Sequence, residues 1–189
     1  MNLKPEKVGR SIATRTGDDG MTGLLFGQRV AKDHPQIETV GTFDELNVAL
    51  GAAKLLLADG PTRELIGHVQ QGLVALMGEL ACAESDSERH AASKFAKVGG
   101  DDLDRLDRAI ARIEAQGLKF DGWATPGVNP LASAIDQARV VARRAERRLT
   151  ALPAQGRSVR PVLRQFVNRL SDLLWLMARE AEKDVKIHK

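Results

Sequence analysis

From Glu38 onward, apolar residues recur at three- and four-residue steps; before it they do not. Val40, Phe43, Leu46, Leu50, Ala53 and Leu57 form one stripe, the pattern of an amphipathic helix. Thr42 and Glu45 are spaced for a capping box near its start, unless the helix begins a little earlier. Gly60-Pro61 breaks the pattern. A second helix is predicted from about Thr62 to Glu84, with Leu65, Val69, Leu73, Leu76 and Leu80 on its apolar face. A third, highly charged helix is predicted from Asp101 to Gln116 (Leu103, Leu106, Ile110, Ile113). A fourth runs from Leu131 to Leu152 and a fifth from Val159 to about Val185, the last with Val162, Phe166, Leu170, Leu173 and Met177 facing inward. Residues 85–100 and 117–130 read as polar or Gly/Pro-rich connections.

No strand-rich stretch alternates with these helices. The expected fold is therefore all-α, an antiparallel five-helix bundle preceded by a glycine-rich segment. The whole chain, 1–189, is expected to be one domain, with an N-terminal segment at 1–37 and the bundle at 38–186. Ala138, Ala142 and Ala145 would let the fourth helix approach its neighbours closely. Within the glycine-rich head, Leu24 to Phe26 reads as a short extended piece.

Composition narrows the setting. Apolar residues make up 43% and charged residues 28%, an ordinary globular balance. There is no apolar run of about 18 residues, so no membrane span is expected. Met1 to Arg10 lacks a secretory apolar core. With Cys82 the only cysteine, neither a disulfide nor a Cys-rich zinc site is expected, which points to a reducing, cytoplasmic compartment. The net charge is only +3, but nine arginines crowd Arg139 to Arg169, with Glu146 the sole acid among them. Such a block favours a phosphate-bearing ligand. Aromatics at 4%, no tyrosine and no helix-turn-helix or zinc-finger spacing argue against nucleic acid as the partner.

Four groups of residues carry candidate chemistry. Thr14-Arg15-Thr16-Gly17-Asp18-Asp19-Gly20-Met21-Thr22-Gly23 combines turn-forming glycines with threonine donors able to wrap phosphate oxygens. It is no Walker A loop, and a plain solvated turn has the same composition. Lys32 follows closely and suits a point charge on the same phosphates, or an exposed loop lysine. Arg139, Arg143 and Glu146 or Arg147 share one helical face, and Arg144 sits beside it; two guanidiniums a turn apart form a phosphate clamp, or else a solvated face paired to Asp44, Glu45 or Asp172. Asn168-Arg169-Leu170-Ser171-Asp172 sets polar groups in an apolar stripe, where they need partners: a ligand, the arginine face, or a core network. His34, His68, His90 and His188 lack metal-ligand spacing, so no protein-held metal is expected. His90 beside Glu88 reads as a surface pair, and Cys82 as a packed mid-helix residue. The chain offers no obvious nucleophile or general base.

Together these motifs resemble the ATP:cob(I)alamin adenosyltransferase family of the propanediol-utilisation type. The resemblance begins at Thr14-Arg15-Thr16-Gly17-Asp18 and continues through Lys32-Asp33 and Gly41-Thr42-Phe43-Asp44-Glu45-Leu46-Asn47. It proceeds to Arg143-Arg144-Ala145-Glu146-Arg147 and closes at Phe166-Val167-Asn168-Arg169-Leu170-Ser171-Asp172, in register over about residues 10–182. It implies a homotrimer with each active site between adjacent subunits. ATP, with Mg2+, would be bound by Thr14, Arg15, Thr16, Gly17, Thr22, Gly23 and Lys32 of one subunit. Arg143, Arg144, Glu146, Arg147 and Asn168 would bind it from across the interface. Asp44 would pair with Arg139 and hold the corrinoid pocket in shape. The nucleophile would be Co(I) of the corrinoid (cobalamin or a precursor). It would attack the 5′-carbon of ATP, forming the cobalt–carbon bond and expelling triphosphate, with Arg143 and Lys32 stabilising the leaving charge. A reductase and a B12-dependent enzyme are the implied protein partners. The competing reading is a non-catalytic trimer that binds ATP or carries a corrinoid.

One departure from the family pattern concerns the apolar wall that strips the lower cobalt ligand. Family members commonly read Phe-Ile-Leu-Pro-Gly-Gly before the fourth helix; this chain reads Trp123-Ala124-Thr125-Pro126-Gly127-Val128. The interval from Pro126 to Arg139 matches, so the resemblance puts Trp123 in the wall, with Phe120 the alternative. Arg15 stands where lysine is usual and keeps the charge.

Overall fold

The computed structural model describes residues 13–118 and 123–183. Phe120, the start of the resemblance at residues 10–12, and the last turn expected to reach Val185 lie outside them. The chain is mostly helical: α1 (Pro35–Leu55), α2 (Pro61–Leu80), a short α3 (Ser87–Ala91), α4 (Gly100–Glu114), α5 (Pro130–Ala151) and α6 (Pro161–Glu182), preceded by strands β1 (Met21–Gly23) and β2 (Arg29–Ala31). Among the described residues, no helix is long and apolar enough to cross a membrane.

Two expectations need correcting at the N-terminal end. The extended piece is not Leu24 to Phe26. Those residues open the turn of an antiparallel hairpin whose strands flank them, with Met21 opposite Ala31 and Gly23 opposite Arg29. α1 also begins seven residues before Thr42. Pro35 occupies its first turn and His34 caps it, Nδ1 accepting the Gln36 N–H at 3.2 Å. Thr42 is thus mid-helix and turns its hydroxyl back to the Glu38 carbonyl at 2.8 Å. The 85–100 connection contains α3, five residues too short to show a periodic stripe.

The five long helices alternate in direction. Gln36 at the start of α1 reaches Leu80 at the end of α2. Glu38 and Glu45 of α1 pair with Arg148 and Arg144 of α5, in reverse order. Glu146 and Asp136 of α5 meet Asn168 and Arg179 of α6, again reversed. The α4–α6 pair runs parallel: Asp107 bonds Arg169 at 2.9 Å and Arg112 bonds Glu180 at 3.0 Å. Each is reached by an up-stroke of the chain, so their contact puts two like directions side by side within an otherwise antiparallel set.

The core lies along the expected stripes, with Leu149 and Leu163, which no stripe named, added to it. Phe43, Leu46, Leu50, Leu73, Leu76, Ile113, Leu149 and Leu163 are wholly buried, each contributing roughly 1.5–3 kcal/mol by area. Ala138, Ala142 and Ala145 are also wholly buried along α5. Gly72 lets α2 approach α6, since a Cβ there would stand 3.0 Å from Cζ of Phe166.

The end of α2 organises its surroundings. A helix leaves its last carbonyls without intrahelical partners, and burial makes that costly. Here distant segments supply the donors: Arg157 to Glu79 O (2.8 Å), the Gln36 amide to Leu80 O and Cys82 O, and the Leu25 N–H to Ala81 O (2.8 Å). The hairpin, the start of α1 and the entry to α6 are thereby tied to one point. Cys82 lies just past this helix end rather than within it, and burial pushes its thiol pKa up.

Candidate active site

The glycine-rich segment forms a compact turn leading into the hairpin. The Gly20 N–H bonds the Gly17 carbonyl (3.2 Å), the Lys32 N–H bonds Gly20 O (2.9 Å), and the Met21 N–H bonds Oδ1 of Asp19 (2.9 Å). Arg15 takes φ +58°, a left-handed conformation unusual for a side-chain-bearing residue. Thr14 and Thr16 hydroxyls meet at 2.9 Å. Lys32 folds over this turn, its Nζ 3.0 Å from where a Cβ on Gly17 would lie. Thr22 and Gly23 sit in β1. The structure therefore brings Thr14 to Gly23 and Lys32 together. The sequence reading missed Arg29, which fastens the turn by donating to Thr16 O (2.7 Å) and pairing with Asp19 (3.2 Å). Its signal was a cation set opposite the Asp18-Asp19 pair across a glycine-bounded turn.

The second cluster lies on the outer face of α5. Arg143 is exposed and has no ion pair or hydrogen bond to its guanidinium among the described residues. Arg147 donates to the Arg143 carbonyl at 3.0 Å. Arg144 is drawn sideways to Glu45 of α1. The Asn168 amide donates to Oε1 of Glu146 at 3.3 Å, so the α6 motif does meet the arginine face, although Asn168 and Asp172 flank the apolar stripe rather than lie in it. Ser171 is buried and bonds the Asn168 carbonyl at 3.0 Å. Arg169 is taken by Asp107.

The expected Asp44–Arg139 pair does not form within the chain. Arg139 donates to the buried Asp136 at 2.8 Å, and Asp136 also holds Arg179, whose side chain is 5% exposed. Asp44 is exposed. The α1–α5 ion pairs explain the separation: Glu45 is level with Arg144 on an antiparallel neighbour, so Asp44 stands about 9 Å along the axis from Arg139 at 1.5 Å per residue. Asp136 and Arg179 were also missed; their signal was a carboxylate three residues before Arg139 on one helical face. Trp123 is fully exposed, in the loop before α5. Beyond it a 270 Å³ cleft is lined by Pro126, Gly127, Asp136 and Arg139.

These groups occupy different parts of the molecule. The hairpin docks on the end of α2 and the segment after it: Gln28 bonds Asp86, and the Arg89 guanidinium lies 4.1 Å from the Phe26 ring centre. α5 starts at the opposite end, with Pro126 and Gly127 of the preceding loop beside Asp136 and Arg139, and the arginine face lies between. No hydrogen bond or ion pair joins the glycine turn to Arg143, Arg144 or Arg147 among the described residues. Nor does any group of three His, Cys, Asp or Glu side chains there suit a metal ion.

A helical chain with a threonine-glycine turn at one end and an arginine face along its fourth long helix falls in a known class. The cobalamin adenosyltransferase family matches over residues 12–181, and the chain belongs to that family. It is 42% identical over 174 residues to the corrinoid adenosyltransferase PduO of Salmonella typhimurium, covering 92% of this chain and 50% of that protein. The chain thus spans about half the length of the PduO relatives it matches. It is 36% identical to a corrinoid adenosyltransferase of Citrobacter freundii, covering 90% and 94% of the two chains. Among solved structures, it resembles a variant PduO-type ATP:corrinoid adenosyltransferase from Lactobacillus reuteri complexed with cobalamin and ATP (TM-score 0.79, 30% identity, 91% of each chain).

Proposed function

We propose that this chain transfers the 5′-deoxyadenosyl group of ATP to Co(I) of a corrinoid, releasing triphosphate. The observation that carries this reading is the state of two cationic grips. Lys32 lies on the glycine turn and the Arg143 guanidinium stands on α5 without a partner among the described residues, where no hydrogen bond or ion pair joins the two. Both suit a triphosphate, and a shared one requires a second copy. The working form is accordingly a homotrimer of five-helix bundles, with each site between neighbours and the whole chain one domain in the cytoplasm.

In this arrangement Thr14, Arg15, Thr16, Gly17, Thr22, Gly23 and Lys32 of one subunit hold the nucleotide. Arg143, Arg144, Glu146, Arg147 and Asn168 of the next hold its other side. Asp44 and Arg139 pair across that same interface, where intrachain geometry no longer separates them. The substrate's Co(I) attacks C5′; the cobalt–carbon bond forms as the C5′–O bond breaks and the electron pair leaves with triphosphate. Catalysis by the protein consists of alignment and charge stabilisation by Arg143 and Lys32. Trp123 forms the apolar wall beneath the corrinoid. Magnesium would accompany the nucleotide's phosphates, and no step is assigned to it.

The test supplies pre-reduced corrinoid and ATP and follows the light-sensitive alkylcobalt spectrum together with triphosphate release, with sedimentation to determine the assembly. Both products from a trimer are expected. ATP binding without turnover would replace this reading with that of a carrier.

A further inference from the structure

We propose that the cavity between the end of α2, the 84–97 connection and the entry to α6 binds a phosphate group. The cavity measures 180 Å³ and is lined by Glu79, Ser87, His90, Lys97, Arg157 and Arg160. One water needs only about 10–15 Å³ by such a measure, so a tetrahedral oxyanion fits. His90 is 3% exposed and Arg157 6%, so His90 is a buried group and not the surface partner of Glu88 that its neighbour suggested.

The lining has more donors than acceptors. His90 Nε2, Ser87 Oγ and Arg157 Nε are all buried without a hydrogen-bond partner. Leaving such groups unpaired costs about 1–3 kcal/mol each. Both oxygens of the sole lining carboxylate, Glu79, already accept from Arg160 at 2.8 and 2.6 Å. Arg157 spends its Nη groups on Glu84 (2.9 Å), Ser158 O and Glu79 O. Lys97 bonds the Ser93 and Phe95 carbonyls, which leaves its third N–H unassigned. Three lining cations face one lining anion, and counting Glu84 still leaves an excess positive charge. A phosphate group offers several oxygens and negative charge to donors arriving from two segments of chain, the 84–97 connection and the entry to α6. Burial lowers the His90 pKa, and an anion beside the ring would oppose that shift by favouring the protonated form. None of these residues belongs to the proposed nucleotide site, so the inference stands apart from the adenosyl-transfer reading.

The test titrates inorganic phosphate, and separately tripolyphosphate, into the full chain while following the His90 imidazole resonances by NMR. A saturable His90 shift is expected. Lys97→Gln and, independently, Ser87→Ala should weaken it about tenfold with an unchanged melting midpoint. Tighter saturation by inorganic phosphate assigns the site to the free ion, and tighter saturation by tripolyphosphate to a polyphosphate end. A His90 signal that ignores both anions, or that shifts equally in wild type and variants, overturns the proposal and leaves the cavity to water.

Discussion

The glycine turn and the arginine face are built on different principles. Residues 13–32 have few buried side chains; their shape comes from backbone turns, one left-handed arginine, the Arg29 tie and a dock on the end of α2. The arginine face sits on a 22-residue helix whose other side is locked by wholly buried alanines. One region can therefore adjust around a ligand, while the other presents charge at spacings set by the helix. The contrast teaches that a phosphate grip is made by backbone conformation in the first region and by core packing in the second.

That contrast can be broken at several points. The largest effect is expected from Asp136→Ala, which strips the shared carboxylate from Arg139 and from the buried Arg179. It should cost about 3 kcal/mol in denaturant unfolding, a loss no substitution on the glycine turn should match. Arg143→Ala should leave the melting midpoint alone, because the side chain is exposed. It should slow turnover about a hundredfold, the scale for losing one charge-stabilising donor; near-normal activity would refute the clamp. Gly17→Ala pushes on the Lys32 amine and the Met21 carbonyl, 3.0 and 3.3 Å from the new methyl. Because lysine is flexible, ATP affinity should fall by less than about tenfold with little change in stability. A fall as large as that for Arg143→Ala would mean the turn is as rigid as the helix. The smallest effect is expected from Trp123→Ala, as a ratio: a reaction started from Co(II) should suffer more than one started from pre-reduced Co(I). Equal losses would remove Trp123 from the wall.

The helices were legible because burial imposes a period, and Leu46, Leu73, Ile113 and Phe166 all lie where the stripes put them. The start of α1 was not, because His34 acts as a cap without being a usual capping residue and Pro35 and Gln36 carry no stripe. The proximity of neighbouring motifs was also legible, as Lys32 lies beside Gly17 and Asn168 meets Glu146. Partner choice was not. Which acid Arg139 meets within one chain depends on the axial register of α1 against α5, and periodicity is silent about register. His90 was misjudged because a five-residue helix buries a side chain without leaving any pattern.

The turn at 86–90 has two faces. Asp86 and Arg89 reach out to the hairpin, while Ser87 and His90 look into the cavity. Any free energy that an occupant of one face lends to the other must be returned in equal measure. A melting curve or a dissociation constant taken in phosphate buffer would therefore describe a different reference state from one taken without it.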